Sequence, residues 1–139
     1  MGSSELTTKT AAAGTYRYMA PELFDDEITK TTKATDVWAF AMTAIEVCII
    51  ASIAFSVFGK LKQSNLQIFT GSMPFSNIIN DANVVFSVMS GGRPKRELCL
   101  QINEGIWAML EKCWYAVPER RPEMDTVYHF LVASMRGGH

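Results

Sequence analysis

The sequence has no excess charge of either sign, few histidines and no clustered cysteines. Its 139 residues include 13 Lys and Arg against 14 Asp and Glu, and the resulting net charge of −1 predicts no binding to nucleic acid. The three cysteines form no CxxC pair and the two histidines have no metal-ligating neighbours, which argues against a disulfide framework or a metal site. The N-terminus lacks the apolar core of a secretory signal. We therefore expect a cytoplasmic protein without a bound metal.

Strand patterns are also absent, since no stretch alternates apolar and polar residues over any length. Helical patterns are present instead, so the predicted fold class is mainly α. The first predicted helix begins with Thr35 or Asp36 as its N-cap and is apolar on nearly every face, so we expect it to be buried all round. The other predicted helices are Asp81–Met89 ended by Gly91 and Gly92, an amphipathic helix capped by Asn103, and a last helix that starts at Pro122.

Three segments carry distinctive motifs: Gly14 to Glu22 (GTYRYMAPE), Asp36 to Phe40 (DVWAF), and Cys113-Trp114 followed by PERRP at 118–122. In this order they resemble the large, C-terminal lobe of protein kinases: the end of the activation segment with its A-P-E motif, the start of the buried central helix, and the loop before the last helix. The form of the first segment and the Cys-Trp pair are similar to those of the tyrosine-kinase-like group of serine/threonine kinases. The resemblance implies that residues 1–139 form a partial C-terminal lobe of the protein kinase-like fold.

The resemblance assigns a substrate-binding role to the first segment. Thr15 would contact the catalytic aspartate, which lies outside this chain. Residues 16–19 would form the wall that receives the substrate residue after the phosphoacceptor. The predicted substrate-binding residues are therefore Thr15, Tyr16, Arg17, Tyr18 and Met19. Upstream of it, the candidate phosphorylation sites are Ser3, Ser4, Thr7, Thr8 and Thr10, for which a flexible Ser/Thr-rich tail is the alternative.

The resemblance also implies structural roles. Glu22 and Arg121 would form a buried ion pair, and removing one partner of such a pair costs roughly 3–5 kcal/mol. Asp36 would accept hydrogen bonds from the backbone of the catalytic loop, with a plain helix N-cap as the alternative. Trp38 and Trp114 would pack in the interior.

Several motifs that kinases need are missing from the 139 residues, which contain no G-x-G-x-x-G, His-Arg-Asp or Asp-Phe-Gly sequence. Phosphoryl transfer requires these motifs and a strand lysine to cover the phosphates, place Mg²⁺ and supply the base. ATP and Mg²⁺ are implied for a full kinase domain, but we expect this chain to hold no cofactor and to be inactive alone. The expected function is a fragment of a protein serine/threonine kinase, with protein substrates or other kinases as partners.

Residues 48–68 interrupt the resemblance, because joining Val47 to Phe69 restores the usual link after the central helix. One hypothesis is that this atypical insert is a translated intron. Another is a single membrane span over residues 37–58, which reaches the necessary length of about 20 residues. Because Glu46 would lie in its middle, we do not expect a membrane partner. The remaining alternative is a non-catalytic, pseudokinase-like interaction module that binds through residues 14–24 and 81–89.

Overall fold

The computed structural model describes residues 15–27, 30–59 and 74–137. Within these ranges the regular structure is entirely helical, without a strand, and the prediction of a mainly α fold is confirmed. The helices are α1 (Lys33–Gly59), α2 (Asp81–Met89), α3 (Glu104–Cys113) and α4 (Met124–Arg136). Short 3-10 turns lie at Thr15–Tyr18, Pro21–Phe24, Arg96–Leu98 and Pro118–Arg120.

Helix α1 begins at Lys33, earlier than the sequence predicted. Thr32 and Thr35 cap it reciprocally: Thr35 N donates to Thr32 Oγ1 at 3.3 Å, and Thr32 N donates to Thr35 Oγ1 at 2.8 Å. The prediction of Thr35 or Asp36 as the N-cap is therefore wrong, because this exchange satisfies backbone groups one turn earlier. Asp36 instead lies exposed in the first turn of the helix, where its negative charge is favourable.

One face of α1 forms the centre of the hydrophobic core. The buried positions recur every three or four residues, as expected for one face of a helix, and they are Val37, Trp38, Ala41, Met42, Ile45, Cys48 and Ile49. On the other face Thr43 is exposed, and Val47 is 59% exposed. The prediction of a helix buried all round is therefore wrong for the described residues, because none of them covers this second face.

The same helix also meets a simple test for membrane spans. Residues Lys33–Ala51 form one helix long and apolar enough to cross a membrane, with a mean hydropathy of 1.6. The core helices of soluble proteins pass this test too, and 44% of this window is buried inside the fold. A span over residues 37–58 would require Trp38, Met42 and Ile45 to leave the core.

Of the three shorter helices, α3 packs directly against α1 and α4 packs against α3, whereas α2 packs against the 3-10 turns at Thr15–Tyr18 and Pro21–Phe24. Asn80 caps α2 by accepting a hydrogen bond from Ala82 N at 2.8 Å, and Asn103 caps α3 by accepting one from Ile106 N at 2.8 Å. The second of these caps was predicted from the sequence. Helix α4 begins two residues after Pro122, with Glu123 at its N-cap position, so the predicted start at Pro122 is slightly early.

The predicted insert falls partly inside the described residues. Cys48 to Gly59 continues α1 without a break, and Cys48 and Ile49 belong to the core. Residues 60–68 lie outside the described residues, as do the candidate phosphorylation sites Ser3, Ser4, Thr7, Thr8 and Thr10. The boundary of the insert stays a prediction.

Candidate functional site

The candidate site is the segment from Thr15 to Phe24, called segment 15–24 below. It consists of two consecutive 3-10 turns, and Pro21 occupies the first position of the second turn, where its missing N–H costs no hydrogen bond. Ala20 between the turns is fully buried in the core. Because 3-10 turns this short are not stable alone, contacts with distant parts of the chain must fix the segment.

Arg17 makes the largest set of these contacts. Its side chain is 5% exposed, and Nε donates to Asp81 Oδ1 at 3.2 Å. The other nitrogens donate to backbone oxygens of the loop before α2: Pro74 O at 3.1 Å, Phe75 O at 2.8 Å, Ile78 O at 2.7 Å and Ile79 O at 3.4 Å. These bonds use all five N–H donors of a guanidinium group. We therefore assign Arg17 to anchoring segment 15–24, and its place in the substrate wall stays a prediction.

The loop that receives Arg17 has an unusual backbone. Phe75 is buried and has a φ of +58°, a conformation that is uncommon for residues other than glycine. Its carbonyl oxygen accepts hydrogen bonds from Arg17 and from Ile78 N, the latter at 2.8 Å. The guanidinium group thus helps to hold a turn whose backbone carries strain.

Tyr18 connects the segment to α1. Its hydroxyl donates a hydrogen bond to Glu46 Oε2 at 2.8 Å. Burial raises the pKa of Tyr18 to about 12, and the hydrogen bond and negative charge of Glu46 raise it as well. The tyrosine therefore stays protonated at neutral pH, and it supplies a partner for the carboxylate in the middle of an apolar helix.

Glu22 and Arg121 connect the other end of the segment to the loop before α4. Arg121 NH1 donates to Glu22 Oε1 at 2.6 Å and NH2 donates to Glu22 Oε2 at 2.8 Å, so the ion pair is bidentate. Arg121 also donates to Ala34 O at 3.0 Å and to Tyr115 O at 2.9 Å. Its side chain is completely buried, and that of Glu22 is 14% exposed. The structure thus brings together the two residues for which the resemblance implied an ion pair.

Trp38 lies beneath two guanidinium groups. Those of Arg93 and Arg121 are 4.6 Å and 5.0 Å from the centre of its ring, distances at which cation–π attraction operates. Burial lowers the pKa of Arg93, and the charge of Arg121 lowers it further. Arg93 also donates to Trp114 O at 2.9 Å, so it ties the two buried tryptophans together. Among the described residues, the buried Nε1 atoms of Trp38 and Trp114 have no hydrogen-bond partner.

Asp36 takes no part in these contacts and lies at an open cavity that Arg121 also lines. The cavity has a volume of about 470 Å³ and lies between the starts of α1 and α4. Asp36, Val37 and Met124 are among the residues that line it. The carboxylate is therefore accessible to a segment that is not part of the described structure.

The remaining predicted residues are partly buried or fall outside the described side chains. Tyr16 and Met19 are half-buried, and the Tyr16 ring lies 6.3 Å from that of Phe24. The side chain of Thr15 is outside the described residues, so its contact with a catalytic aspartate stays a prediction. In the part of the chain that the structure describes, no group of His, Cys, Asp and Glu could hold a metal ion.

Sequence reasoning missed three residues that hold the site together, namely Glu46, Asp81 and Arg93. Glu46 had a usable signal, because a single charge inside an apolar helix requires a partner. Asp81 and Arg93 had none, since each is a common surface residue type whose partner lies far away in the sequence.

Comparison with known proteins identifies the class of this fold. A family model described as protein tyrosine and serine/threonine kinase matches residues 1–131. The chain therefore belongs to the protein kinase family. Its relatives are serine/threonine kinases of the tyrosine-kinase-like type.

Three curated relatives illustrate the similarity. Human receptor-interacting serine/threonine-protein kinase 1 is 28% identical over 110 residues, which are 78% of this chain and 13% of the relative. Mouse mitogen-activated protein kinase kinase kinase 10 is 27% identical over 121 residues, covering 87% of this chain and 10% of the relative. Arabidopsis thaliana serine/threonine-protein kinase CTR1 is 28% identical over 130 residues, which are 93% of this chain and 13% of the relative. The chain thus spans only about a tenth of the length of these relatives.

Proposed function

We propose that this chain is the substrate-facing part of a cytoplasmic protein serine/threonine kinase, which in its full form transfers the γ-phosphate of ATP to hydroxyl groups of proteins. The chain contributes segment 15–24 and the helical scaffold behind it. ATP and Mg²⁺ are bound by a further segment that carries the His-Arg-Asp and Asp-Phe-Gly motifs. The chain alone is inactive.

The observation that carries this proposal is the anchoring of segment 15–24 at both ends. Arg17 fixes its start to the loop before α2, and the Glu22–Arg121 ion pair fixes its end to the loop before α4. Both anchors are buried and use charged hydrogen bonds, which are the stronger kind. A backbone held in this way is suited to receive an extended peptide, because positioning supplies much of the catalysis in phosphoryl transfer.

The accessible Asp36 supports the second part of the proposal. Its carboxylate lines the open cavity between α1 and α4, and within the described ranges it takes part in neither of the two ion pairs. A backbone segment seated there would find an acceptor for its N–H groups.

A kinase assay on the product of the full-length transcript tests the proposal. The purified protein is incubated with radiolabelled ATP, Mg²⁺ and a mixed protein substrate, and the phosphorylated amino acids are separated. We expect phosphoserine and phosphothreonine, and a Thr15→Ala variant that loses at least about tenfold in kcat with little change in KM. Thr31→Ala, at an exposed position outside the segment, is the matched control. A transcript without the two missing motifs, or a product that labels only tyrosine, would overturn the proposal.

A second function rests on an exposed apolar patch formed by Ile79, Phe86 and Met89. These side chains are 96%, 74% and 57% exposed, which is unusual for large apolar residues. The patch adjoins segment 15–24, since Arg17 bonds both to Ile79 O and to Asp81 at the start of α2. In this alternative the chain is a non-catalytic module that binds another kinase or its substrate through the patch.

A pair of matched methionine variants tests this alternative. Met89→Ser changes the patch, whereas Met135→Ser changes a methionine that is 78% exposed on α4. Binding to a purified, intact serine/threonine kinase domain is measured by calorimetry. We expect Met89→Ser to weaken the affinity at least about fivefold and Met135→Ser to leave it unchanged. Equal effects of the two variants, or no binding by the unmodified chain, would contradict the alternative.

A further inference from the structure

Two cysteine side chains from distant parts of the sequence meet on one turn of α1. Cys99 Sγ lies 3.9 Å from Ile45 O, and Gln101 Nε2 lies 2.9 Å from Cys48 O and 3.2 Å from Cys48 Sγ. The loop after the turn Arg96–Leu98 is thus seated on the stretch of α1 that ends at Cys48. These contacts bring Cys99 against the turn of α1 that carries Cys48. Burial, as the larger cause, and the hydrogen bond with Cys48 together raise the pKa of Cys99 to about 12.

The third cysteine does not share this environment. Cys113 lies at the end of α3 and is fully buried. Burial raises its pKa to about 11, while the nearby positive charge of Arg121 lowers it. Because Arg121 is bonded to Glu22 and Ala34, Cys113 lies near the start of α1, more than two helical turns before Cys48.

We propose that Cys48 and Cys99 form a reversible intramolecular disulfide bond when the protein meets a hydroperoxide. The Cys48 sulfur attacks one peroxide oxygen, the O–O bond breaks, and a sulfenic acid and one molecule of water (an alcohol, for an organic peroxide) are produced. The Cys99 sulfur then attacks the Cys48 sulfur, the S–O bond breaks, and a second molecule of water leaves with the Cys99 proton. The two thiols supply the two electrons that reduce the peroxide.

The order of these two steps follows from exposure. Cys48 is 9% exposed and Cys99 is completely buried, so the oxidant reaches Cys48 first. Cys99, whose thiol is protonated at neutral pH, then acts as the resolving residue from inside the core. The reaction is consequently slow compared with that of dedicated peroxide sensors, whose thiols are exposed and easily ionised.

The bond would fasten α1 to the loop that follows α2. The disulfide would close a loop of about 50 residues. A disulfide that closes a long loop stabilises the folded state more than one that closes a short loop. The oxidised protein therefore unfolds at a higher temperature than the reduced protein. A reductant restores the two thiols and the original stability.

Trypsin places the three cysteines on three different peptides, which makes a direct test simple. Cleavage after Lys and Arg yields residues 34–60 with Cys48, residues 97–112 with Cys99 and residues 113–120 with Cys113. The intact chain is treated with hydrogen peroxide at low protein concentration, unfolded, alkylated and digested. We expect peptides 34–60 and 97–112 to be joined, with the loss of two hydrogens, and peptide 113–120 to be alkylated. Addition of a reductant before alkylation should remove the joined species.

Variants and stability measurements complete the test. Cys113→Ala should still form the cross-link, whereas Cys48→Ala and Cys99→Ala should not. The Tm of the oxidised wild-type chain should exceed that of the reduced chain by roughly 5 °C or more. Alkylation or over-oxidation of Cys48 and Cys99 without a cross-link in the wild-type chain would overturn the proposal, and so would disulfides formed only between chains. Because this readout uses the wild-type protein, it remains decisive if a variant fails to fold.

Discussion

Two arginines carry most of the long-range polar contacts that fix the candidate site. Arg17 and Arg121 are 5% and 7% exposed, and each combines a carboxylate partner with backbone oxygens. A buried charge is tolerated only when its hydrogen bonds are satisfied. The planar guanidinium group can meet this condition with up to five acceptors, whereas an ammonium group has only three N–H donors. Replacement of either residue or of its partner should therefore be costly.

The first prediction concerns the carboxylate of Glu22. We expect Glu22→Gln to lower the free energy of unfolding by about 3–5 kcal/mol, because it leaves the charge of Arg121 buried without its partner. The measurement is urea-induced unfolding followed by tryptophan fluorescence. Glu119→Gln removes an exposed carboxylate from the neighbouring loop and should change the free energy by less than about 0.5 kcal/mol. Similar losses for both variants would show that the buried pair has no special role.

A second prediction at this scale uses the pKa of Tyr18. Folding raises this pKa from its ordinary value of 10.0 to about 12, so the folded protein favours the protonated hydroxyl. The stabilisation is fully present below pH 10 and is lost as the pH rises from 10 to about 12. Tyr18→Phe removes the hydroxyl, so the stability difference between wild type and variant should be constant below pH 10 and should shrink above it.

Denaturant unfolding at a series of pH values measures this difference. We expect Tyr18→Phe to cost about 1–2 kcal/mol near pH 8, the range for a hydrogen bond to a charged acceptor at a partly exposed site. Tyr128→Phe, at a position that is 60% exposed on α4, serves as the control and should cost almost nothing at any pH. A stability difference for Tyr18→Phe that does not change between pH 8 and 12 would contradict the assigned hydrogen bond.

For individual helices and turns, the sequence predicted those features that depend on a few neighbouring residues. The cap at Asn103 follows from side-chain chemistry within one turn, and the structure shows it. The cap of α1 was missed because Thr32 precedes the apolar pattern by a full turn, whereas the pattern itself begins only at Val37. The one-sided burial of α1 also could not be read from composition. Its outer face is as apolar as its inner face, and only the packing distinguishes them.

The cap that the sequence did not reveal gives a prediction for α1. Thr32→Ala removes the hydroxyl that accepts from Thr35 N and should lower the free energy of unfolding by about 1 kcal/mol. The neighbouring Thr31 is exposed, so Thr31→Ala is a matched control that should have little effect. Thermal unfolding measured by circular dichroism compares the two variants. Equal Tm values for the two would indicate that the helix does not begin at Lys33.

The arrangement of the whole molecule depends on how distant segments are tied together. Segment 15–24 is fastened at Arg17 to residues 57 to 64 positions away, and at Glu22 to a residue 99 positions away. Neither set of contacts could be predicted from local sequence patterns. The resemblance to kinases implied the Glu22–Arg121 ion pair, but nothing in the sequence implied the contacts of Arg17. Because both sets of contacts hold the same ten residues against the helices, we expect their contributions to stability to depend on each other. Loss of one tie frees the segment and reduces what the other can contribute.

A double-mutant cycle tests this coupling. Arg17→Lys replaces five N–H donors by three, and we expect it to lower the free energy of unfolding by about 2–3 kcal/mol. The double variant Arg17→Lys with Glu22→Gln should lose at least about 1 kcal/mol less than the sum of the two single losses, as expected for sites that depend on one shared element. As a control, Arg17→Lys is combined with Thr32→Ala, whose cap lies outside segment 15–24, and these two losses should add within about 0.5 kcal/mol. Strict additivity in both pairs would mean that the two ends of the segment are held independently. In that case a variant at one end would leave the other end in place.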